Sequence, residues 1–394
     1  MNVLLLENID KSVVKCFGNN YNVECISDAL NGDALIEKIQ NVHIIGIRSK
    51  TNLTRKILEQ APNLLLVGCF CIGTNQVDID YCTERNIALF NSPFMSTRSV
   101  SELIIGLIIS LARKLGDKNQ MMHGGLWNKS SKNNHEIRGK TLGIIGYGHV
   151  GSQVSILAEN MGMNVIFYDI APVMSLGNST KMVSMEALLR SADYVSLHVP
   201  LLPETNNLIG DTELQQMKSG SYLLNLSRGN VVNITALKKY LDNGHLMGAA
   251  LDVFPDEPEN KKSQWNFCLQ NSDNVILTPH IGGSTEEAQY EIGQDVANKI
   301  LSYFETGSTA NCLTLPNIQI GKCQTATRII NIHKNIPGAL AQIMAVMDAY
   351  NIIRQYLATK DAIGYCIIDV EVTDSKSILE TLNKLSVNIW SRTQ

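Results

Sequence analysis

What the chain lacks narrows its function before any motif is read. It has no basic stripe and no acidic tail: the formal net charge is −4 at pH 7 and the pI about 6.1. A nucleic-acid partner is therefore not expected. It also lacks a long apolar run. Its most apolar helical stretch, Leu103 to Leu111, is bracketed by Glu102 and Arg113, and a membrane span needs about 20 apolar residues. The opening MNVLLLENID has no basic n-region and carries Glu7 and Asp10, so it reads as a first strand and not as a signal peptide. Nine cysteines are present, without metal-type spacing or a secreted disulfide framework. Cys69-Phe70-Cys71 sets two thiols on one side of an extended segment, a poor chelating geometry. Reduced thiols, a cytoplasmic location, no metal and no membrane are the expectations. There is no internal repeat and no low-complexity tract.

What remains is a soluble, globular composition, 44% hydrophobic and 18% charged, in 394 residues. That length allows two or three domains. The organising stretch is Gly139 to Asp169. An apolar strand, Leu142 to Ile145, runs into Gly146-Tyr147-Gly148-His149-Val150-Gly151, then a helical pattern, a second strand Val165 to Tyr168, and Asp169. Strand, glycine loop, helix, strand and acidic residue form a dinucleotide fingerprint. Gly146 would make the tight turn, Gly148 admit a pyrophosphate, and Gly151 let helix and strand pack. The helix N-terminus would face the phosphates. Asp169 would accept both ribose hydroxyls and repel a 2′-phosphate, which favours NAD over NADP.

Residues 1 to about 95 alternate strand and helix patterns, with strands at Val3–Leu6, Ile44–Arg48, Leu64–Val67 and Ala88–Phe90. They predict an α/β lobe with a parallel sheet. Ser96 to Leu115 reads as one helix, apolar nearly all round and hence buried, opened by a Ser99–Glu102 capping box. After the fingerprint, Tyr194–His198, Tyr222–Leu226, Met247–Leu251 and Val275–Thr278 read as buried strands. A helix from Ser284 would return the chain to the first lobe. The last segment reads strand, helix, strand, strand, helix, strand, a ferredoxin-like plan. The expected domains are 1–95 with 284–310 as a discontinuous, flavodoxin-like lobe, 96–283 as a Rossmann-type domain inserted in it, 311–324 as linker and 325–394 as an α+β module.

In open α/β sheets, chemistry gathers at the carboxyl ends of the strands. Arg228, Glu257 and His280 each follow one of these strands. His280 can take the proton of an alcohol as hydride leaves, or return it in reduction. Glu257 would hydrogen-bond the imidazole and favour its protonated form. Arg228 offers a planar fork to a carboxylate. The set suits hydride exchange between nicotinamide and an α-hydroxy or α-keto acid. Each alone could equally be a turn or loop residue.

The motifs GYGHVG, NLSRG, DVFPDEP and LTPHIGGST resemble those of the D-2-hydroxyacid dehydrogenase family. The likeness extends along the chain through IGIRSKT, GCFCIGTNQVD, NSPFMSTRSVSELIIG and GLWNK. It is closest to the bacterial branch that oxidises D-3-phosphoglycerate to 3-phosphooxypyruvate, opening serine synthesis, and carries a C-terminal ACT domain. The resemblance implies that Arg228, Glu257 and His280 are catalytic. It implies NAD contacts at His149, Val150, Asp169, Leu226, Ser227, Asp252, Ile281, Gly282 and Gly283.

For the substrate, Arg48, Lys50 and Lys129 are candidate phosphate ligands, with Asn75 nearby. Relatives carry Arg at the place of Lys50; Lys keeps the charge without the bidentate fork. In the ACT-like module, His333, Asn335 and Asn351 stand where similar enzymes bind L-serine between paired modules. Here the first helix and its turn are about two residues shorter. The Gly321-Lys322-Cys323 segment also lacks a paired-glycine hinge, so serine binding need not bring strong inhibition. A homotetramer and a second activity on 2-oxoglutarate are implied as well. Two alternatives remain at this stage: a family member acting on glyoxylate, hydroxypyruvate or D-lactate, and a non-catalytic NAD-sensing protein.

Overall fold

The computed structural model describes residues 1–258, 265–323, 326–372 and 375–394. Residue 324, the expected end of the linker, and residue 325, the expected start of the last domain, lie outside the described residues. The chain forms two compact units: Met1–Pro93 with Gln289–Gln394, and Phe94–Ala288.

The first unit begins with five strands: β1 Asn2–Leu5, β2 Asn22–Cys25, β3 Ile44–Ile47, β4 Leu66–Cys69 and β5 Ala88–Asn91. They form a parallel sheet in the order β2-β1-β3-β4-β5, the flavodoxin-like arrangement. Strands β3 and β4 are buried at every residue, as expected of central parallel strands covered on both faces. Strand β2, NVEC, is largely exposed. Its polar composition hid it from the sequence reading, and such composition suits an edge.

The second unit contributes β6 Thr141–Ile145, β7 Asn164–Tyr168, β8 Thr180–Lys181, β9 Tyr194–Leu197, β10 Ser221–Asn225, β11 Leu246–Leu251 and β12 Val275–Leu277. The sheet runs β12-β11-β10-β9-β6-β7-β8, all parallel. The order reverses at β6, as in a Rossmann sheet. One core cluster, including Ile104, Leu111, Val154 and Phe167, packs on one face. Another, including Leu188, Leu214, Leu237 and Leu269, packs on the other.

The helix expected over Ser96 to Leu115 forms as Thr97–Arg113, and a second helix that was not expected follows it. Thr97–Arg113 ends at Lys114, which is left-handed with φ 51°, and Leu115–His123 follows with no buried residue. Burial follows one stripe, Val100, Ile104, Leu107, Ile108 and Leu111, while Leu103, Ile105 and Ile109 are only partly covered. The capping box does not form. Ser99 lies inside the helix with its hydroxyl 2.8 Å from that of Thr285, and Glu102 pairs with Arg98 at 2.6 Å.

After helix Glu286–Thr306 the chain completes the first unit. Residues 307–318 have no regular structure but are not a loose linker. Leu313 N donates to Leu89 O, and Thr314 Oγ1 accepts from Leu89 N and donates to Ile87 O. These contacts cover the β5 edge, which would otherwise stay unpaired. The final strands, β13 Thr327–Lys334, β14 Asn351–Lys360, β15 Ile363–Glu371 and β16 Asn388–Thr393, form an antiparallel sheet ordered β14-β15-β13-β16. With helices Ala339–Met347 and Lys376–Asn383 this is a ferredoxin-like module. One sheet face packs Ile329, Ile368 and Val370 against Ile343, Met347, Ile378 and Leu382. The opposite face carries a buried ion pair. Arg328 Nε and Nη2 meet Asp369 at 2.7 and 2.8 Å, and Arg328 Nη1 donates to Thr306 O and Gly321 O.

Candidate active site

The fingerprint loop shows three glycines with three different reasons. Gly146 has φ 92°, and a Cβ there would lie 2.7 Å from His198 O. A Cβ on Gly151 would lie 2.2 Å from Gly146 O, so close helix–strand packing excludes any side chain. A Cβ on Gly148 would meet nothing within 4 Å. The protein's own packing does not demand glycine there, and the open space is what a ligand's close approach to the backbone would need. Helix His149–Asn160 begins at Gly148 with no side-chain cap on its N–H groups, which leaves them to an anion. Asp169, just after β7, accepts from Tyr147 N at 2.7 Å and Ala171 N at 2.8 Å. A carboxylate offers about four lone-pair sites, so it can still accept hydroxyls. This donor set fits a dinucleotide.

The loop is braced from below. Tyr147 Oη donates to Ser155 Oγ at 2.9 Å and lies 2.9 Å from Ser179 Oγ. At the end of β9, His198 Nε2 lies 2.9 Å from Ser196 Oγ, and burial pushes the imidazole down to about 4. The residue is uncharged at neutral pH.

Because β10, β11 and β12 are parallel neighbours, their carboxyl ends bring Arg228, Glu257 and His280 to one rim. Asn225, fully buried at the end of β10, shapes the first turn. Its Oδ1 accepts from Ser227 N and Oγ, and its Nδ2 donates to Arg228 O. Arg228 Nη1 donates to Ser227 O at 2.7 Å, leaving four of its five donors. A Cβ on Gly229 would fall 1.9 Å from the Phe254 carbonyl carbon. Glycine thus lets the Arg228 turn touch the turn after β11.

Glu257 Oε1 accepts from Phe254 N at 3.2 Å, and its Oε2 lies 2.8 Å from His280 Nδ1. Burial, the largest influence on the Glu257 carboxyl, pushes it up. The His280 bond and charge, the Phe254 N–H and the Arg228 charge together outweigh burial and hold it below the ordinary value. His280 sits in the left-handed region at φ 53°, uncommon for a non-glycine residue. Asp252, 1% exposed, fixes that turn. It accepts from Thr278 Oγ1 at 2.6 Å, Ile281 N at 2.9 Å and Gly282 N at 2.8 Å. These hydrogen bonds tie Asp252, Ile281 and Gly282, three of the expected cofactor contacts, into the turn that carries His280. Leu226 and Ser227 are buried beside this turn, and Gly283 packs against Ser96.

In the first unit, Arg48 and Lys50 follow β3 and make no ion pair among the described residues. Their backbone is held by Glu7, which follows β1. Glu7 Oε1 accepts from Arg48 N at 3.0 Å and Thr51 N at 2.9 Å, and Oε2 from Lys50 N at 3.0 Å. Gln76, beside the exposed Asn75, donates to Arg48 O at 2.6 Å. Lys129 belongs to the second unit, in an exposed segment next to Trp127.

Sequence reasoning missed Glu7, Gln76, Asn225 and His198. The strand-end rule, applied to Leu6-Glu7 and to the polar end of Leu223-Leu224-Asn225, would have found two of them. Cys69 is buried and its thiol pushed well up by burial, so it is no nucleophile.

The module's candidate residues separate. His333 is 3% exposed, with Nδ1 2.9 Å from Asn331 Oδ1, and burial holds its imidazole below the ordinary value. Its ring packs on Gly364, where a Cβ would lie 2.2 Å from Nε2. Exposed Asn335 donates to Asp361 O, and exposed Asn351 to Glu371 Oε2. Asn335 precedes helix Ala339–Met347 and Asn351 follows it. Asn351 lies opposite Glu371, and Lys334, next to Asn335, lies opposite Ile363, so the two asparagines sit at opposite ends of β15.

A flavodoxin-like lobe, a Rossmann sheet with a dinucleotide-fitting loop, and a Glu–His pair beside an arginine define a class, the dinucleotide-dependent dehydrogenases of hydroxy acids. Residues 105–282 match the family model for the D-isomer specific 2-hydroxyacid dehydrogenase, NAD binding domain. The chain belongs to the D-isomer-specific 2-hydroxyacid dehydrogenase family. A D-3-phosphoglycerate dehydrogenase of Dictyostelium discoideum is 50% identical over 391 residues, covering 99% of this chain and 96% of that one. That of Haemophilus influenzae is 48% identical over 373 residues, 94% and 91% of the two chains. That of Escherichia coli is 44% identical over 395 residues, 99% and 96%. Among solved structures, D-lactate dehydrogenase from Aquifex aeolicus complexed with NAD and lactic acid aligns with a TM-score of 0.70 and 26% identity. It covers 80% of this chain and 100% of that one.

Proposed function

We propose that this chain catalyses the NAD-dependent oxidation of D-3-phosphoglycerate to 3-phosphooxypyruvate, the entry to L-serine synthesis. Near full-length similarity to enzymes of that name supports the reaction. The observation that carries the substrate choice is the Arg48–Thr51 turn. The neighbouring carboxylate, Glu7, is given to backbone N–H groups, so both cationic side chains stay available for a phosphate. Lys129 is the third cation assigned to it, and Asn75 a further substrate contact.

NAD, held by the fingerprint loop and Asp169, supplies the hydride acceptor. The remaining work falls to side chains of the chain itself. Arg228 binds the substrate carboxylate with its free N–H groups and polarises the adjacent C–O bond. His280, with Nδ1 tied to Glu257, presents Nε2 to the substrate hydroxyl and takes its proton during oxidation. In the reverse direction it returns the proton to the forming hydroxyl. The Glu257 carboxylate stabilises the imidazole while it is charged.

The module is proposed to be an ACT-type sensor of L-serine. Asn335 and Asn351 are too far apart to grip one small amino acid within a single copy, which supports a site shared between paired modules. Strand β14 favours such pairing. It is a ten-residue edge strand with Ile352, Ile353 and Leu357 exposed. Exposed Leu126 and Trp127 support a second interface, and together the two would give a tetramer. A cytoplasmic location accords with the free cysteines among the described residues. Reduction of 2-oxoglutarate, with its second carboxylate on the same cations, is proposed as a side activity.

The test is NADH oxidation with 3-phosphooxypyruvate, hydroxypyruvate and 2-oxoglutarate, with and without L-serine. Arg48→Ala should raise KM for the phosphorylated acid more than it lowers kcat. Equal rates on hydroxypyruvate would move the assignment to an unphosphorylated 2-hydroxy acid. No effect of millimolar serine would remove the sensor role.

A further inference from the structure

Glu7 follows the first strand of the chain, far in sequence from every residue of the catalytic set. It is 8% exposed and left-handed at φ 61°, as is Asn8 at φ 53°. Asn tolerates that region, but for Glu7 it is a strained conformation. Such strain persists where the surroundings over-determine it. Here they do, because β1 and β3 are parallel neighbours with Leu5 opposite Gly46. Two residues further on, Glu7 is level with Arg48.

The carboxylate is spent in an unusual way. With two cationic side chains on the adjacent turn, an ion pair is the expected outcome for an acidic residue. Glu7 instead collects the backbone N–H groups of Arg48, Lys50 and Thr51. The rest of that turn is held as well. Gln76 takes Arg48 O, Asn31 Oδ1 accepts from Asn52 N, and Leu53 N donates to Gln76 O. The backbone from Arg48 to Leu53 is therefore fixed, while the Arg48 and Lys50 side chains make no ion pair among the described residues.

We infer that Glu7 is a positioning residue that sets phosphate recognition by orienting the Arg48–Thr51 turn. This rests on the reading of Arg48 and Lys50 as phosphate ligands. It adds a specificity determinant that never touches substrate. A carboxylate is needed because it has acceptors on both oxygens. In Glu7→Gln one acceptor becomes an amide donor facing the N–H of Lys50 or those of Arg48 and Thr51, and the turn must shift.

The test compares wild type, Arg48→Ala, Glu7→Gln and Glu7→Asp on 3-phosphooxypyruvate and hydroxypyruvate, with NADH affinity and melting temperature measured alongside. Glu7→Gln should raise KM for the phosphorylated acid roughly tenfold, the scale of one buried hydrogen bond turned repulsive. It should leave KM for hydroxypyruvate and NADH affinity within about twofold of wild type, within the spread of an indirect effect. Glu7→Asp, which keeps the charge on a shorter arm, should fall between, and it carries the test if the glutamine variant does not fold. A rise for Arg48→Ala with wild-type constants for both Glu7 variants would overturn the role of Glu7 alone. An unchanged constant for Arg48→Ala would overturn the phosphate reading and this inference together. Equal rises on both acids with a lowered melting temperature would reduce Glu7 to a structural residue.

Discussion

His280 is held by two carboxylates with different duties. Glu257 binds its ring and Asp252 binds its backbone turn. On the proposed mechanism, His280→Gln removes the proton carrier but leaves the turn, so kcat should fall by roughly 10²–10⁴, with NADH binding by fluorescence titration unchanged. His198 gives a pH signature of another kind. Its folded-state value, about 4, lies below the ordinary 6.5, so on acidification the unfolded chain takes up the proton first. The stability it contributes is complete above about pH 6.5 and is lost as pH falls towards 4. Melting temperatures at pH 7.5 and 5 should therefore fall further for wild type than for His198→Gln. Equal falls would mean that the imidazole is hydrated after all.

At the level of elements, the rim works because adjacent turns touch. Gly229→Ala must push the turn after β10 off the Phe254 backbone. A displacement of about 1 Å in a catalytic group can cost 10²-fold, and that is the loss expected in kcat. Asp252→Asn puts an amide donor against the N–H groups of Ile281 or Gly282, and a loss of at least about tenfold is expected from the same misplacement. Both are read by steady-state kinetics beside an NADH titration. These contacts also explain what could be read from the sequence. Gly146, Gly148, Gly151 and Asp169 were legible because their geometry is local and recurs with fixed spacing. Arg228, Glu257 and His280 were legible because each follows an apolar run. Glu7, Asn225 and Asp252 act on backbone N–H or C=O groups, in two cases about thirty to forty residues away, and no spacing records that. The Ser99–Glu102 pattern misled because Arg98, one helical turn before Glu102, pairs with its carboxylate. Strands β2 and β8 escaped notice because exposed edges carry no hydrophobic signal.

On the scale of the whole molecule, the first unit combines the flavodoxin-like sheet and the C-terminal module, joined by a segment packed along β5. The contacts include Tyr365 Oη donating to Gly307 O at 2.9 Å and Arg392 Nη1 donating to Phe304 O at 2.9 Å. The joint is centred on Arg328, 2% exposed at its side chain, and Asp369 at 1%. Arg328→Met would leave Asp369 buried without its partner, and removing one member of such a pair typically costs about 3–5 kcal/mol. Calorimetry should show the C-terminal sheet melting earlier than in wild type, while the Rossmann sheet, in the other unit, keeps its transition.

Arg328 has a consequence for transplantation. A small C-terminal module is usually thought of as a cassette that can be moved between proteins by joining it through a linker. Here two of the acceptors that satisfy a buried guanidinium, Thr306 O and Gly321 O, lie outside the module, on the helix end and the connector. A graft that begins at the first strand of the module would carry the arginine and leave those acceptors behind. The portable piece must therefore start before Thr306, with the end of its helix included.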